Sequence, residues 1–95
     1  MPRNTNVSVP TDEWTQLTAN DVTEISFQNA GGYAMLVNAT VGATQPNDEV
    51  TGYVYAPGSG EVRISLADSF LGVSGANRVW ARGISGTTSA MVSHA

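Results

Sequence analysis

Residues 22–40 read VTEISFQNAGGYAMLVNAT, two apolar-alternating segments on either side of a glycine-rich turn. In the first segment Thr23, Ile25 and Phe27 share one face while the polar side chains of Glu24, Ser26 and Gln28 occupy the other, which is the two-residue period of a β-strand. The turn at residues 29–32 supplies residue types that tolerate a positive φ. The second segment, residues 33–40, is apolar on both faces at its centre, as expected of a strand covered on both sides. We therefore predict an antiparallel hairpin.

The rest of the chain repeats this pattern of short alternating segments and turns. Further strands are predicted at residues 53–55, 61–66, 77–82 and 89–94, and the alternation in 61–66 predicts that Val62, Ile64 and Leu66 face inward. Two longer connections, residues 42–52 and 67–75, interrupt the series, and the second begins with a stretch that suits a helical turn. The 95 residues suffice for one domain with one core. We predict an all-β fold, a compact antiparallel β-sandwich of Greek-key or jelly-roll kind with about seven or eight short strands.

The N-terminal segment differs in composition from the rest of the chain. Residues 1–13 are polar and contain two of the four prolines, which are poorly suited to strand interiors. We predict a polar N-terminal arm over residues 1–13, in which residues 7–9 offer a short edge strand, and a β-sandwich domain over residues 14–95. The segment lacks the apolar region of a secretory leader, and no apolar run approaches the ~20 residues of a membrane span, so synthesis in the cytoplasm is expected.

The charge balance narrows the range of partners. Four arginines and no lysine stand against eight carboxylates, for a net charge of −4. Phosphate binding needs clustered cations, so we expect neither a nucleic acid nor an anionic membrane surface as a partner. The absence of cysteine removes disulfides as a source of stability, and a domain of this size buries only about 60–65% of its unfolded surface. We therefore expect oligomerisation, or docking onto a larger assembly, to supply additional stability.

Side chains that could carry catalysis or bind a metal are few and scattered. His94 is the single histidine, and its place near the end of the sequence is poorly suited to the partners that a catalytic triad requires. Ser74 lacks the second glycine and the following helix of a nucleophile elbow. Asp48 and Glu49 supply too few oxygens for a Ca²⁺ site. We predict no catalytic residue, no metal site, no cofactor and no enzymatic activity.

Arg78, Trp80 and Arg82 are the strongest candidates for a binding surface. Their spacing of two places them on one face of a predicted strand, while Val79 and Ala81 take the other. If Val79 faces the core, Trp80 is exposed between two guanidinium groups, an arrangement typical of interfaces. If Trp80 is a core residue instead, this surface does not form. The three tyrosines either add aromatic surface or close the ends of the sandwich, and an aromatic row would suit a sugar ring as well as a protein.

Two blocks, WTQL at residues 14–17 and SGANRVWA at residues 74–81, are the most distinctive parts of a pattern that extends over residues 10–95. In this pattern the chain resembles small virion structural proteins of tailed bacteriophages and prophages. The resemblance implies a compact β-domain that decorates or cements the capsid and contacts the major capsid protein or another virion protein. It also implies a homo-oligomer, with a trimer favoured. Head spikes, fibre bases and tail-attachment proteins remain open as roles.

The residues and the resemblance together lead to one expected function. We expect a non-enzymatic bacteriophage virion structural protein, located in the virion, that decorates and stabilises the capsid exterior through multivalent protein–protein contacts. Arg78, Trp80 and Arg82 form the predicted interface, together with Arg3 and Asn4 of the arm. The alternative is a carbohydrate-binding module of a head spike or tail fibre that contacts the host surface.

Overall fold

The computed structural model describes residues 2–95. The elements in chain order are β1 (Arg3–Val9), β2 (Thr15–Gln16), β3 (Glu24–Asn29), β4 (Met35–Thr40), β5 (Tyr53–Tyr55), β6 (Gly60–Ser65), α1 (Leu66–Ser69), β7 (Arg78–Gly83) and β8 (Thr88–His94). The predicted all-β fold with about eight short strands is confirmed. Within residues 2–95 no helix has the length and apolar character needed to cross a membrane.

The strands form two four-stranded antiparallel sheets. Sheet I has the order β1-β8-β3-β6, and sheet II has the order β2-β7-β4-β5. The first strand therefore pairs with the last, the second with the second last, and so on inward to β4 and β5. The remaining ladders, β3 with β8 and β4 with β7, join these pairs into sheets. Such nested pairing over eight strands in two sheets is the jelly-roll form of the β-sandwich.

The predicted hairpin of residues 22–40 is wrong, because β3 and β4 lie in different sheets. Asn29, which is 0% exposed, stabilises the turn that leads from β3 in one sheet to β4 in the other. Its side-chain Nδ2 donates to the carbonyl oxygens of Tyr33 at 2.7 Å and Tyr55 at 2.9 Å. Its Oδ1 accepts from the Gly31 N–H at 3.2 Å and from Thr88 Oγ1 at 2.8 Å. One buried amide thus ties the turn to β5 of sheet II and β8 of sheet I.

The core fills the space between the two sheets. Its fully and nearly fully buried members are Val9, Leu17, Val22, Ile25, Phe27, Met35, Val37, Ala39, Leu66, Phe70, Val79, Ala81, Ala90 and Val92. The ring of Tyr55 meets that of Phe27 edge to face, with 4.9 Å between centroids. Such a pair contributes about 0.5–1.5 kcal/mol beyond the burial of its area. The two tryptophans are also buried but lie outside this cluster.

The segment predicted as an arm contributes a full strand to sheet I. Residues 3–9 form β1, and all seven residues pair in continuous register with β8. Val9 is fully buried, Val7 packs against the core, and the Gly83 N–H donates to the Pro10 carbonyl at 2.8 Å just after the strand. The ordered sandwich therefore includes residues 3–9, and Met1 lies outside the described residues. The apolar alternation is weak because only Val7 and Val9 mark the inward face of β1.

Candidate interaction surfaces

The three central residues of the predicted interface point away from the core. Val79 and Ala81 of β7 are 0% exposed and belong to the core cluster. Since side chains alternate along a strand, Arg78, Trp80 and Arg82 lie on the outer face of sheet II. Val79 therefore faces the core, which was the condition under which Trp80 was predicted to be exposed.

Trp80 is nevertheless only 7% exposed, so the expected open Arg–Trp–Arg surface is not present. Trp80 Nε1 donates to Thr40 Oγ1 at 2.8 Å. Trp14 is buried to a similar degree, and its Nε1 donates to the Asp48 carbonyl at 3.2 Å, which ties the connection at residues 41–52 down. The Trp14 bond thus fixes the long connection to the body of the domain, while the Trp80 bond joins β7 to β4. Both tryptophans are therefore structural residues.

The arginines of the predicted interface have different environments. The Arg78 Nε lies 2.7 Å from Asp21 Oδ1, and the Arg78 side chain is only 19% exposed. This pair ties the segment between β2 and β3 to β7. Arg82 is half-buried, and within residues 2–95 no carboxylate oxygen lies within 4.0 Å of it. Glu49 lines the same surface depression as Arg82 but forms no ion pair with it, so the guanidinium keeps donors that a carboxylate of another molecule could accept.

Exposed aliphatic side chains surround Arg82 on the outer face of sheet II. Leu36 of β4 is the cross-strand partner of both Arg82 and Val54, so these three residues form one row. Val54 is 63% exposed, Val50 in the preceding connection is 77% exposed, and Ile84 just beyond β7 is 45% exposed. Leu36, Val50, Arg82 and Ile84 line one shallow depression of about 190 Å³, and Glu49 is also part of its lining. We call Leu36, Val50, Val54, Arg82 and Ile84 the Arg82 patch.

A polar groove lies between the connection at residues 41–52 and the segment that follows β6. It consists of two adjoining depressions of about 380 and 370 Å³ that share Asn38, Thr51 and Val73. The first contains the Asp48 side chain, and the second contains Asp68 and Tyr53. These oxygens and amides are the polar groups of the groove, and apolar atoms form the larger part of its lining.

Two groups bordering this groove are fixed by hydrogen bonds. The Val50 N–H donates to Asp48 Oδ1 at 2.8 Å, and this bond is the main reason that the pKa of Asp48 is lowered. The Tyr53 hydroxyl donates to the Ser69 carbonyl at 2.9 Å, while its ring packs against Phe70 with 5.6 Å between centroids. Tyr53 stays 53% exposed, so part of its ring faces solvent.

The other tyrosines do not continue this aromatic surface. Tyr55 points between the sheets, and its hydroxyl donates to Glu61 Oε2 at 3.1 Å. Burial, followed by the negative charge of Glu61, raises the pKa of Tyr55 to about 12. Tyr33 covers Gly86, where an added Cβ would lie 2.7 Å from the ring. The expected aromatic row is therefore reduced to single rings in separate places.

His94 serves as a structural link. Its Nε2 accepts a hydrogen bond from the Ala19 N–H at 3.0 Å, so this nitrogen carries no proton. The other ring nitrogen, Nδ1, then donates to the Ala95 carbonyl at 2.9 Å. The ring is 8% exposed and joins β8 to the segment after β2. Among residues 2–95 no group of three or more histidine or acidic side chains is arranged to hold a metal ion.

Arg3 and Asn4, the remaining predicted interface residues, lie on β1 at the edge of sheet I. Arg3 Nη1 donates to the Leu17 carbonyl at 2.9 Å, so this side chain supports the fold. Asn4 is exposed. Because Arg82 lies on the outer face of sheet II, the structure does not bring the five predicted residues into one surface.

Sequence reasoning missed four members of the Arg82 patch. Alternation around the buried Met35 and Val37 would have placed Leu36 outside the core, and its partner Val54 follows from the pairing of β4 with β5. Val50 and Ile84 lie in connections, where no period applies. No protein-family model, curated protein or solved structure matches the chain.

Proposed function

We propose that the chain is a non-enzymatic structural protein of a bacteriophage virion, which decorates and stabilises the capsid exterior through many protein–protein contacts. The observation that carries the proposal is the Arg82 patch, where exposed aliphatic side chains lie beside an arginine that forms no ion pair within residues 2–95, although Glu49 lines the same depression. Contiguous apolar surface on a small soluble domain is characteristic of protein interaction sites. The resemblance of residues 10–95 to small virion proteins supplies the biological setting.

The size of the patch suits a weak contact that is repeated many times. Burying Val50, Val54 and Ile84, which are 77%, 63% and 45% exposed, would contribute roughly 1 kcal/mol each. Association costs at least several kcal/mol in lost freedom of motion, so a single patch binds weakly. A shell that binds many copies gains stability because each copy links neighbouring subunits.

Arg82 defines the chemistry of the partner surface. A guanidinium beside apolar side chains forms a strong paired hydrogen bond with a carboxylate when both are shielded from water. The proposed partner surface is therefore an aspartate or glutamate of a capsid subunit, surrounded by apolar side chains. The acidic character of the chain, with net charge −4, also discourages contact with packaged nucleic acid.

Binding to undecorated capsids of the phage that encodes the protein tests this proposal. We expect the wild-type protein to sediment with the capsids and to raise the temperature at which they rupture. Val54→Asp places a charge in the patch and should weaken binding on the order of tenfold or more. Val62→Asp is the matched control, since Val62 is 86% exposed on the other sheet. Failure of the wild-type protein to bind, or equal loss in both variants, would contradict the proposal.

The polar groove supports a second function, carbohydrate binding by a head-spike or tail-fibre module. Tyr53 offers a partly exposed ring beside Asp68 and Asn38, and sugars are bound by such a ring together with polar side chains. A glycan array followed by calorimetry would detect this activity. Tyr53→Ala should abolish it, and Tyr33→Ala, which removes a ring of similar exposure elsewhere, should not. The absence of any glycan ligand on the array would exclude this function for the groups tested.

A further inference from the structure

The four edge strands of the sandwich are protected to different degrees. Exposed edges are open to pairing with another chain unless they are short, bulged or charged. In sheet II the edges β2 and β5 have two and three residues. In sheet I the edge β6 has a register shift opposite residues 25–27, where Arg63 adopts a φ of 51° and Val62 is 86% exposed. By contrast β1 has seven residues in continuous register.

The hydrogen bonds of sheet I show which backbone groups of β1 face outward. The Ala30 N–H donates to the Ser89 carbonyl at 2.8 Å, so Ser89 directs its backbone groups toward β3. Backbone direction alternates along an antiparallel strand, so Ala90 and Val92 of β8 direct theirs toward β1. Their partners Val7 and Thr5 complete this ladder. Asn4, Asn6 and Ser8 alternate with Thr5 and Val7 along β1. Their N–H and C=O groups must therefore point away from the sheet.

These outward groups are not used within the described chain. No backbone–backbone hydrogen bond outside the β1–β8 ladder involves residues 3–9 of the part that the structure describes. The nearest side-chain contact is a long one, 3.5 Å from Thr5 Oγ1 to the Asn6 carbonyl. Asn4, Asn6 and Ser8 are themselves exposed. The edge therefore presents three donors and three acceptors at regular spacing.

We propose that β1 pairs antiparallel with β1 of a second copy of this chain, about a twofold axis that passes between the two Asn6 residues. In this register Asn6 faces Asn6 of the second copy, and Asn4 faces Ser8. The three N–H and three C=O groups on each strand would form six hydrogen bonds. The two copies of sheet I become one continuous eight-stranded sheet, and the pair is closed because no free β1 edge remains.

The sequence of β1 favours a second copy as the occupant. Its only charged residue is Arg3, which the proposed register places opposite Val9, at the two ends of the paired strands. A parallel arrangement would set the two Arg3 side chains next to each other, and adjacent like charges disfavour pairing. On the outer face of sheet I the two paired strands would bring together only the side chains of Asn4, Asn6 and Ser8. These side chains carry no charge and are small, so they neither repel nor clash. The strand is thus complementary to itself in the antiparallel direction.

This pairing differs from the trimer that the resemblance implies, and it goes beyond the proposed function. It requires only the β1 edge, whereas capsid binding requires the Arg82 patch on the opposite sheet. The mass of the isolated protein tests the pairing, and sedimentation with capsids tests the function. Either can therefore fail alone.

A charge exchange at Asn6 gives the decisive experiment. Asn6→Lys and Asn6→Glu each place like charges face to face across the twofold axis, so each variant alone should raise the dimer dissociation constant on the order of tenfold or more. An equimolar mixture of the two variants should restore a dimer that contains one of each. Gln28→Lys and Gln28→Glu are the matched controls, because Gln28 lies on β3 of the same sheet and away from the edge. Sedimentation equilibrium measures all of these masses.

Hydrogen exchange locates the contact. In the dimer the amides of Asn4, Asn6 and Ser8 should exchange slowly, and in the Asn6→Lys variant they should exchange fast. The amides of Thr5 and Val7 are bonded to β8 and should be protected in both. A wild-type protein that stays monomeric at high concentration, or that forms a trimer, would overturn the proposal. So would a dimer in which the exposed β1 amides exchange freely, or in which mixing the two Asn6 variants restores nothing.

Discussion

Asn29→Ala is expected to destabilise the fold more than any surface substitution of an asparagine. The Asn29 side chain makes four hydrogen bonds, to the carbonyls of Tyr33 and Tyr55, the Gly31 N–H and the Thr88 hydroxyl. Its removal leaves these four groups without that partner at a site where the asparagine is 0% exposed. At about 1 kcal/mol for each lost bond the sum is roughly 3–5 kcal/mol. A 95-residue domain has a total stability of only about 5–14 kcal/mol.

Urea unfolding followed by tryptophan fluorescence measures this loss. Trp14 and Trp80 are both buried outside the core cluster, so their emission should report release of the outer face of sheet II as well as global unfolding. The measurement should be repeated at two protein concentrations, because dimerisation would add a concentration-dependent term to the apparent stability. Asn47→Ala is the control, since Asn47 is exposed and should change the stability by no more than about 0.5 kcal/mol.

A loss below about 1 kcal/mol for Asn29→Ala would refute the reasoning, because it would mean that water or local rearrangement satisfies the four groups. Loss of the turn alone would appear as a lower unfolding cooperativity rather than a shifted midpoint. The expected outcome is a shifted midpoint with an unchanged slope, since the amide joins both sheets and its loss weakens the whole sandwich.

Two further predictions concern aromatic residues. The pKa of Tyr55 is raised to about 12 in the folded state, so its hydroxyl ionises at a lower pH in the unfolded chain than in the folded one. The free energy of unfolding should therefore fall as the pH rises from about 10 to about 12. Tyr55→Phe should remove this fall when stability is measured over that pH range. Trp80→Phe removes the bond from Nε1 to Thr40 Oγ1 and should cost about 1 kcal/mol in urea unfolding. Thr40→Val removes this bond and also the bond from Thr40 Oγ1 to the Gly42 carbonyl at 3.3 Å, so it should cost about 1–2 kcal/mol. The double variant should cost less than the sum, whereas full additivity would show that the bond between Trp80 and Thr40 contributes nothing.

Local periodicity assigned only part of the inward faces of the strands. Ile25 and Phe27 on β3 are buried as alternation predicts, because the period of two depends on backbone geometry and not on the partner strand. The inward placement of Thr23 and Val62 was wrong: both are exposed, and Val62 lies beside the register shift of β6. That the period does not depend on the partner strand also explains the error in pairing. A strand with one apolar face can pair with any neighbour in its sheet, and the crossing between sheets depends on the buried side chain of Asn29, whose contacts come from β5 and β8.

The predicted interface failed in exposure rather than in orientation. Alternation placed Trp80 on the outer face correctly, but it could not predict that Trp80 would be only 7% exposed there. Burial of an outward-facing side chain depends on contacts between distant segments, such as the hydrogen bond from Trp80 to Thr40. For β1 the sequence pattern indicated too little ordered structure. Its outward residues are polar and only Val7 and Val9 mark the inward face, so the segment was predicted as a polar arm.

The geometry of the proposed dimer has a consequence for the proposed function. A twofold axis between two antiparallel β1 strands runs along the normal of the sheet, and rotation about the normal leaves each face of the sandwich pointing in its original direction. Both Arg82 patches, on the outer face of sheet II, would therefore point to the same side of the dimer. One dimer could then engage two capsid subunits on a single surface, with the second contact favoured by the first. Asn6→Lys should accordingly weaken capsid binding even though it leaves the Arg82 patch intact, and its combination with Asn6→Glu should restore that binding. If Asn6→Lys bound capsids as tightly as the wild-type protein, each patch would act alone, and the dimer would have no part in decoration.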